Sequence, residues 1–258
     1  MDGIDGVLLD IDGVLVVSWE QIPGAAQTVR WLRAQGIPFL LITNTTTHSR
    51  HELARTLRDA GVDVSGEDVV TAVVMTGAYL RSHHPGTKVF LLSDGDPMDD
   101  LPEVEVVEEG AEVVVVGGAG PDFSYDRLNR AFSMLMDGAA LVGMHRNMYW
   151  RTTEGLQLDG GAFIVGLEAA TGRNAVVCGK PSPTFFHEAV GMVGTRLERT
   201  AMVGDDIVND VLGAQAAGLV GILVRTGKFM PTDLERASRK PDHVIDSIAE
   251  LPRSLRPS

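Results

Sequence analysis

Residues 7–15 read VLLDIDGVL. The apolar run Val7-Leu8-Leu9 drives straight into Asp10, and Asp12 follows one residue later with Gly13 behind it. Such a run predicts a buried strand over 6–10, and the glycine permits the tight turn that ends it. Two carboxylates at the mouth of a buried strand cost solvation energy unless something positive meets them. They suit a hard divalent cation such as Mg²⁺, which takes a couple of carboxylates and completes its shell with substrate oxygens. They also suit a division of labour, one carboxylate acting as nucleophile and its neighbour as acid and base. The plain alternative is a solvated Asp-Gly turn, and this stretch alone does not choose between them.

The pattern recurs along the chain. Strand-like runs lie at 6–10, 38–43, 88–92, 112–117, 141–144, 175–178, 200–204, 219–224 and 243–245, with helix-period segments between them. In 24–35, Ala25, Val29 and Leu32 fall on one helical face and Gly36 closes the segment; 207–217 repeats this with Ile207, Val211 and Ala214 before Gly218. Alternation of this kind predicts an α/β fold, a Rossmann-like parallel sheet flanked by helices. So many strands strain a single twisted sheet, so two sheets in two domains are expected. The chemistry-bearing residues follow the early and late strands, not the middle ones. An inserted α/β domain is therefore placed at 72–174, with the core formed from 1–71 and 175–258.

In a doubly wound parallel sheet, residues that end different strands meet in one crevice. Three further strand ends are notable. Leu40-Leu41-Ile42 runs into Thr43-Asn44-Thr45-Thr46-Thr47, hydroxyls and an amide able to donate to phosphate-type oxygens. Capping of a helix that begins near Ser49 would account for one or two of these residues, not for the run. Lys180 sits between Gly179 and Pro181 directly after a strand, a candidate partner for a dianion. Met202-Val203-Gly204 leads into Asp205 and Asp206, with Asp210 on the first turns of the next helix. Asp206 is a natural helix cap, but capping leaves Asp205 unexplained. Acids from two strands gathered in one crevice repel one another unless a cation joins them.

Composition sets the outer limits. The chain has 258 residues, 44% hydrophobic and 22% charged, an ordinary globular balance. A net charge of −13 argues against general nucleic-acid binding, which needs a basic surface. Its acidic start is unlike a secretory signal, and the apolar runs are too short for a bilayer, so no membrane association is expected. Cys178 is the single cysteine, which excludes an intrachain disulfide and fits a reducing, cytoplasmic setting.

Taken together, Asp10/Asp12, Thr43/Asn44, Lys180 and Asp205/Asp206/Asp210 resemble the four motifs of the haloacid dehalogenase-type (HAD) phosphatase superfamily. The long insert between the second and third motifs is similar to the NagD-like subclass with an α/β cap. The stretches DGGAFIVGLEAATGRNAVVCGKPSPTFF and MVGDDIVNDVLGAQAAGLVGILVRTGKF resemble the branch of phospholysine phosphohistidine inorganic pyrophosphate phosphatase. The resemblance implies a Mg²⁺-dependent phosphatase acting on a small phosphorylated metabolite through an aspartyl phosphate. It implies Asp10 as nucleophile and Asp12 as acid and base. Asp10, the backbone carbonyl of Asp12 and Asp205 are implied to hold the metal. Thr43, Asn44, Thr45 and Lys180 are implied to hold the phosphoryl oxygens, with Asp210 behind them orienting Lys180 or a metal-bound water, and Asp206 open as a metal ligand, a residue behind the ligands or only a helix cap. Some members of that branch carry serine at the second acid of the first motif; here Asp12 is present. A homodimer through the cap is a further expectation.

The cap loop HRNMYWRTTEGLQLDGG, residues 145–161, offers His145, Arg146, Asn147, Tyr149 and Arg151 to a leaving group; a polar surface loop is the plain alternative. Rival activities fare worse. VVVVGGAGPD has Phe123 where a dinucleotide fingerprint needs its third glycine, no P-loop is present, and HELAR and HEAVG lack the second histidine of a zinc peptidase helix. A sugar-nucleotide transferase would not need Lys180 and the second acidic strand end in this order. A phosphomutase of the same superfamily and a non-catalytic phosphometabolite-binding protein remain as alternatives.

Overall fold

The computed structural model describes residues 1, 3–101, 103–152 and 155–255. Its contacts divide the chain into two compact units. The first comprises Met1–Thr43, Arg50–Val70 and Lys180–Ser258, and the second comprises Asn44–Ser49 and Thr71–Gly179.

The first unit is built on a six-stranded sheet in the order His243–Ile245, Val220–Val224, Thr200–Gly204, Gly6–Asp10, Phe39–Thr43, Val69–Thr71. Gly6–Asp10 pairs in parallel with Thr200–Gly204 on one side and with Phe39–Thr43 on the other. All five residues of Gly6–Asp10 are buried, as expected of a strand covered on both faces. Val7, Leu9 and Ile11 enter a core shared with Leu41, Val203, Ile222 and the helix residues Val29, Leu32, Leu53 and Leu57. The helix anticipated over 24–35 runs Ala25–Ala34 and buries Ala25, Val29 and Leu32. Because the chain moves outward in opposite directions from the central strand, a switch in strand order falls at the carboxyl end of Gly6–Asp10. Registers Leu9↔Val203 and Asp10↔Ile42 bring three strand ends level there.

The second unit carries its own five-stranded sheet, in the order Val176–Val177, Ala140–Gly143, Val113–Val116, Lys88–Leu92, Glu105–Val106. Every pairing in it is parallel. Phe90, Val114, Val116 and Leu141 face Ala131, Leu135, Ile164 and Leu167 of the helices Tyr125–Met136 and Gly160–Thr171 in a separate core. Val176–Val177 pairs with Ala140–Gly143, so this strand belongs to the second sheet and the unit runs on to Gly179. The sequence reading had opened the core at 175. Two successive valines look alike in either sheet, and only the partner strand tells them apart.

Short strands escaped the sequence reading. Val16–Val17 and Glu20–Gln21 form a small hairpin, and Tyr149–Thr152 pairs with Gly155–Leu158 where a loop was expected. Segments this short hold too few residues for periodicity to register. The segment anticipated as one helix over 207–217 is a π-helical turn, Ile207–Leu212, followed by an α-helical turn, Gly213–Ala216. Among the described residues, no helix is long and apolar enough to cross a membrane.

Leu9 is fully buried at the centre of the first core. Leu9→Ala is expected to cost about 2–5 kcal/mol, read as a lowered urea midpoint for unfolding, because the surrounding sheet and helices cannot close the cavity.

Candidate active site

Asp10, the last residue of the central strand, is buried and accepts a hydrogen bond from the Lys180 ammonium at 2.7 Å. The same Nζ lies 2.7 Å from Asp210 Oδ1 and 3.5 Å from the carbonyl oxygen of Ile42. Lys180 is thus buried in the first unit between two carboxylates. Burial works against its charge, but Asp10 and Asp210 outweigh burial and hold the ammonium above its ordinary range.

Asp205 follows the strand Thr200–Gly204 and is 1% exposed. Its Oδ2 accepts the backbone N–H of Lys228 at 2.6 Å, while Oδ1 is buried with no hydrogen-bond partner. Carboxylate oxygens of Asp10, Asp205 and Asp210 lie within 4.8 Å of one another. Burial and then the Asp10 charge push Asp205 up to about 6. The same two causes, in the same order, push Asp210 up to about 8 against the pull of Lys180. Both shifts start from burial, and the clustering of three carboxylates around one buried ammonium adds to them. An orphaned carboxylate oxygen and an all-oxygen donor set match what a hard divalent cation requires, so Mg²⁺ fits this cluster.

Asp12 stands exposed beyond the strand end. Enough protein nevertheless surrounds its carboxyl that desolvation raises it, helped by Asp10 and opposed by Lys228 and Lys180. Its backbone bridges to Val16, and Gly13 N–H donates to the Val16 carbonyl, so the turn after the strand is fixed by the hairpin that follows. Gly13 has φ +82°, and a Cβ there would stand 2.0 Å from Asp205 Oδ2. Only glycine lets the turn pass that close.

Asp206 does what a cap does. Its Oδ1 accepts from the N–H groups of Val208 and Asn209, and its Oδ2 from the Asn209 amide. These bonds lower its carboxyl despite burial, which works the other way. It is not among the clustered carboxylates. Asp210 binds Lys180 through Oδ1 and accepts the Asp206 N–H through Oδ2. Thr43 ends its strand buried. Asn44 and Thr45, which follow it, group with the second unit and are half-buried. Thr46 accepts the Gly118 N–H at 3.0 Å, so its oxygen serves the second unit internally.

Of the residues offered from 145–161, His145 is placed differently from the sequence reading. His145 is buried in the second unit, its Nε2 3.8 Å from Asp159 Oδ1 and its Nδ1 accepting the Asn147 N–H. Burial lowers its pKa against the pull of Asp159. It is a core histidine rather than a group free to meet a leaving group. Arg146 pairs with Glu168 through both terminal nitrogens. The carbonyl of Asn147 accepts the Gly161 N–H. Tyr149 lies exposed on a strand, and the Arg151 side chain is outside the described residues. The signal that could have separated these roles was Asp159, which also caps the helix Gly160–Thr171.

A further element of the site escaped the sequence reading: Thr226-Gly227-Lys228, after the strand Val220–Val224. Thr226 Oγ1 donates to the Gly13 carbonyl at 2.5 Å, and Lys228 N–H holds Asp205. A strand running into Thr-Gly-Lys was the available clue.

Family models described as Haloacid dehalogenase-like hydrolase and HAD-hydrolase-like match residues 7–107 and 177–251. Haloacid dehalogenase-like hydrolase domain-containing protein 2 of Bos taurus is 35% identical over 254 residues, 96% of each chain. The chain belongs to the haloacid dehalogenase-like hydrolase family. Phospholysine phosphohistidine inorganic pyrophosphate phosphatase of Rattus norvegicus is 36% identical over 256 residues, 97% of this chain and 93% of that one. Among solved structures, 4-nitrophenylphosphatase from Thermotoga maritima superposes with a TM-score of 0.91 at 31% identity, covering 98% of both chains. NagD from E. coli K-12 gives 0.87 at 28% identity, covering 96% of this chain and 98% of that one. Within the family the chain is a NagD-like, HAD-type phosphatase near the phospholysine phosphohistidine inorganic pyrophosphate phosphatase branch.

Lys180→Met is expected to destabilise the metal-free protein by about 3–5 kcal/mol at pH 8, since it leaves the buried carboxylates without their cation. The carboxyls of Asp205 and Asp210 lie above their unfolded values, so protonation favours the folded state. Their repulsion therefore fades as pH falls through that range, and the deficit should shrink by pH 5. Urea unfolding in EDTA at both pH values measures it; a deficit independent of pH would contradict this charge account.

Proposed function

We propose that the protein hydrolyses a small phosphorylated metabolite, a phosphate monoester with pyrophosphate or a phosphoamidate as related candidates, in a Mg²⁺-dependent reaction through an aspartyl phosphate. The observation that carries this reading is the buried cluster of Asp10, Asp205 and Asp210, held around one lysine with Asp205 Oδ1 left without a partner. Asp10, the backbone carbonyl of Asp12 and Asp205 would hold the metal. When bound, it would supply positive charge that draws phosphate oxygens to an acidic pocket and offsets charge developing in transfer.

The chain's own residues do the rest. Asp10 attacks phosphorus, forming an acyl phosphate as the bond to the leaving oxygen breaks. Asp12, raised above its ordinary value, delivers its proton to that oxygen. It then takes a proton from the water that cleaves the acyl phosphate, releasing inorganic phosphate and restoring Asp10. Lys180 keeps Asp10 oriented and offers positive charge beside the transferring group. Thr43, with Asn44 and Thr45 directly after it in the chain, donates to the phosphoryl oxygens, and Asp210 orients Lys180. Positioning and charge stabilisation supply most of the catalysis.

The second unit would act as the cap that sets specificity. Tyr149 stands exposed on the hairpin there, with Leu156 and Leu158 also exposed, and we assign this face to a homodimer contact. The single cysteine, Cys178, supports a cytoplasmic setting.

Two measurements test the reaction. Asp10→Asn should abolish phosphate release, and EDTA should do the same to the parent protein until Mg²⁺ is restored. Release that survives either treatment would overturn the mechanism. Asp12→Asn should slow hydrolysis of an alkyl phosphate by about 10²–10⁴-fold. Its effect on 4-nitrophenyl phosphate should be smaller, since 4-nitrophenolate departs without a proton; equal losses on both substrates would remove Asp12 from the acid role.

A further inference from the structure

Asp205 is asymmetric. One oxygen is bonded and the other, also inside the protein, has no partner among the described residues. The element responsible is the Thr226-Gly227-Lys228 loop, for which the reaction above has no use. Three contacts tie this loop to its surroundings, two of them to the turn after the first strand and one to Asp205. Thr226 Oγ1 donates to the Gly13 carbonyl, Lys228 N–H donates to Asp205 Oδ2, and Gly227 packs against Gly13. A Cβ on Gly227 would stand 2.1 Å from Asp205 Oδ2 and 2.4 Å from Gly13 Cα; a Cβ on Gly13 would stand 2.0 Å from that same oxygen. Both glycines have positive φ, +64° and +82°. Two glycines from loops far apart in sequence thus form the walls of a slot that fits one carboxylate oxygen.

We propose that Thr226, Gly227 and the backbone N–H of Lys228 form a positioning clamp. It grips Asp205 by Oδ2 and so presents Oδ1, the oxygen without a partner, to the divalent cation. The inference rests on the metal reading given under Proposed function. A carboxylate gripped on one side loses rotational freedom and meets the cation from a fixed direction. Groups that orient metal-binding carboxylates in this way are typically worth about 10–100-fold in metal affinity. The clamp uses the backbone of Lys228. Its ammonium would repel a cation, so the side chain and the N–H work in opposite directions.

The test is Mg²⁺ binding by the full chain, read by titration calorimetry and by the Mg²⁺-dependent rise in Tm, with the Tm in EDTA as the control for folding. Gly227→Ala should weaken Mg²⁺ binding about tenfold or more, because the new Cβ occupies the place of Asp205 Oδ2. Thr226→Val keeps the glycine and loses only the hydroxyl that anchors the loop; it should fall between Gly227→Ala and the parent, and remains informative if Gly227→Ala does not fold. Lys228→Ala keeps the N–H and should bind Mg²⁺ as tightly as the parent or more tightly. Parent-like affinity in both Gly227→Ala and Thr226→Val would overturn the clamp while leaving the metal reading intact. A weakened Lys228→Ala would show that the side chain, not the backbone, is the operative group, and would also overturn it. A parent protein that binds no Mg²⁺ would remove the metal reading and the clamp with it.

Discussion

The contact between a buried lysine and two buried carboxylates governs this site. Lys180 reaches Asp10 and Asp210 at 2.7 Å each, and Asp205 shares the same small volume. One ammonium cannot neutralise three carboxylates, and the low-dielectric surroundings magnify the imbalance. The protein therefore keeps, at the end of its central strand, a concentration of negative charge that is costly in isolation and favourable once a dication and a phosphate arrive. Much else in the first unit is arranged to hold that charge in place. Strands buried on both faces fix the ends that carry Asp10, Thr43 and Asp205, and the Thr226–Lys228 loop closes over Asp205 from a fourth strand.

Stability and function are opposed here. Replacing the charged cluster with apolar groups of similar size would be expected to stabilise the fold, as buried ion pairs seldom justify themselves energetically. The clustering makes sense for phosphoryl transfer, where preorganised charge lowers the barrier and need not be rearranged during reaction. The second unit carries no such burden. There His145 lies beside Asp159, and Thr46 accepts from Gly118.

Much of the first unit was legible because its strands are long, apolar and bounded by glycine. The run at Gly6–Asp10 and the acids after Gly204 announce strand ends, and a parallel sheet gathers its strand ends on one edge; Lys180 reaches Asp10 although the strand before it, Val176–Val177, belongs to the second sheet. Legibility failed where a residue's role depends on its partner. Asp206 and Asp205 are adjacent acids; one spends its oxygens on the N–H groups of Val208 and Asn209, and the other keeps an oxygen free of hydrogen bonds. His145 looked available because it sits among polar residues in sequence, yet it is enclosed against Asp159.

From the residues alone follow the alternation of strand and helix and the order of the acidic and basic residues, since each depends on local pattern and spacing; the family came from the resemblance of those residues to known motifs. Assignment of Val176–Val177 to the second sheet, the capping duty of Asp206, the burial of His145 and the grip of Lys228 N–H on Asp205 were settled only by tertiary structure. The physical reason is common to all four. Hydrophobic periodicity is written along the chain, whereas the partner of a hydrogen bond or a strand is chosen by residues far away in sequence, and two side chains of identical chemistry part company only when the fold decides what stands opposite each.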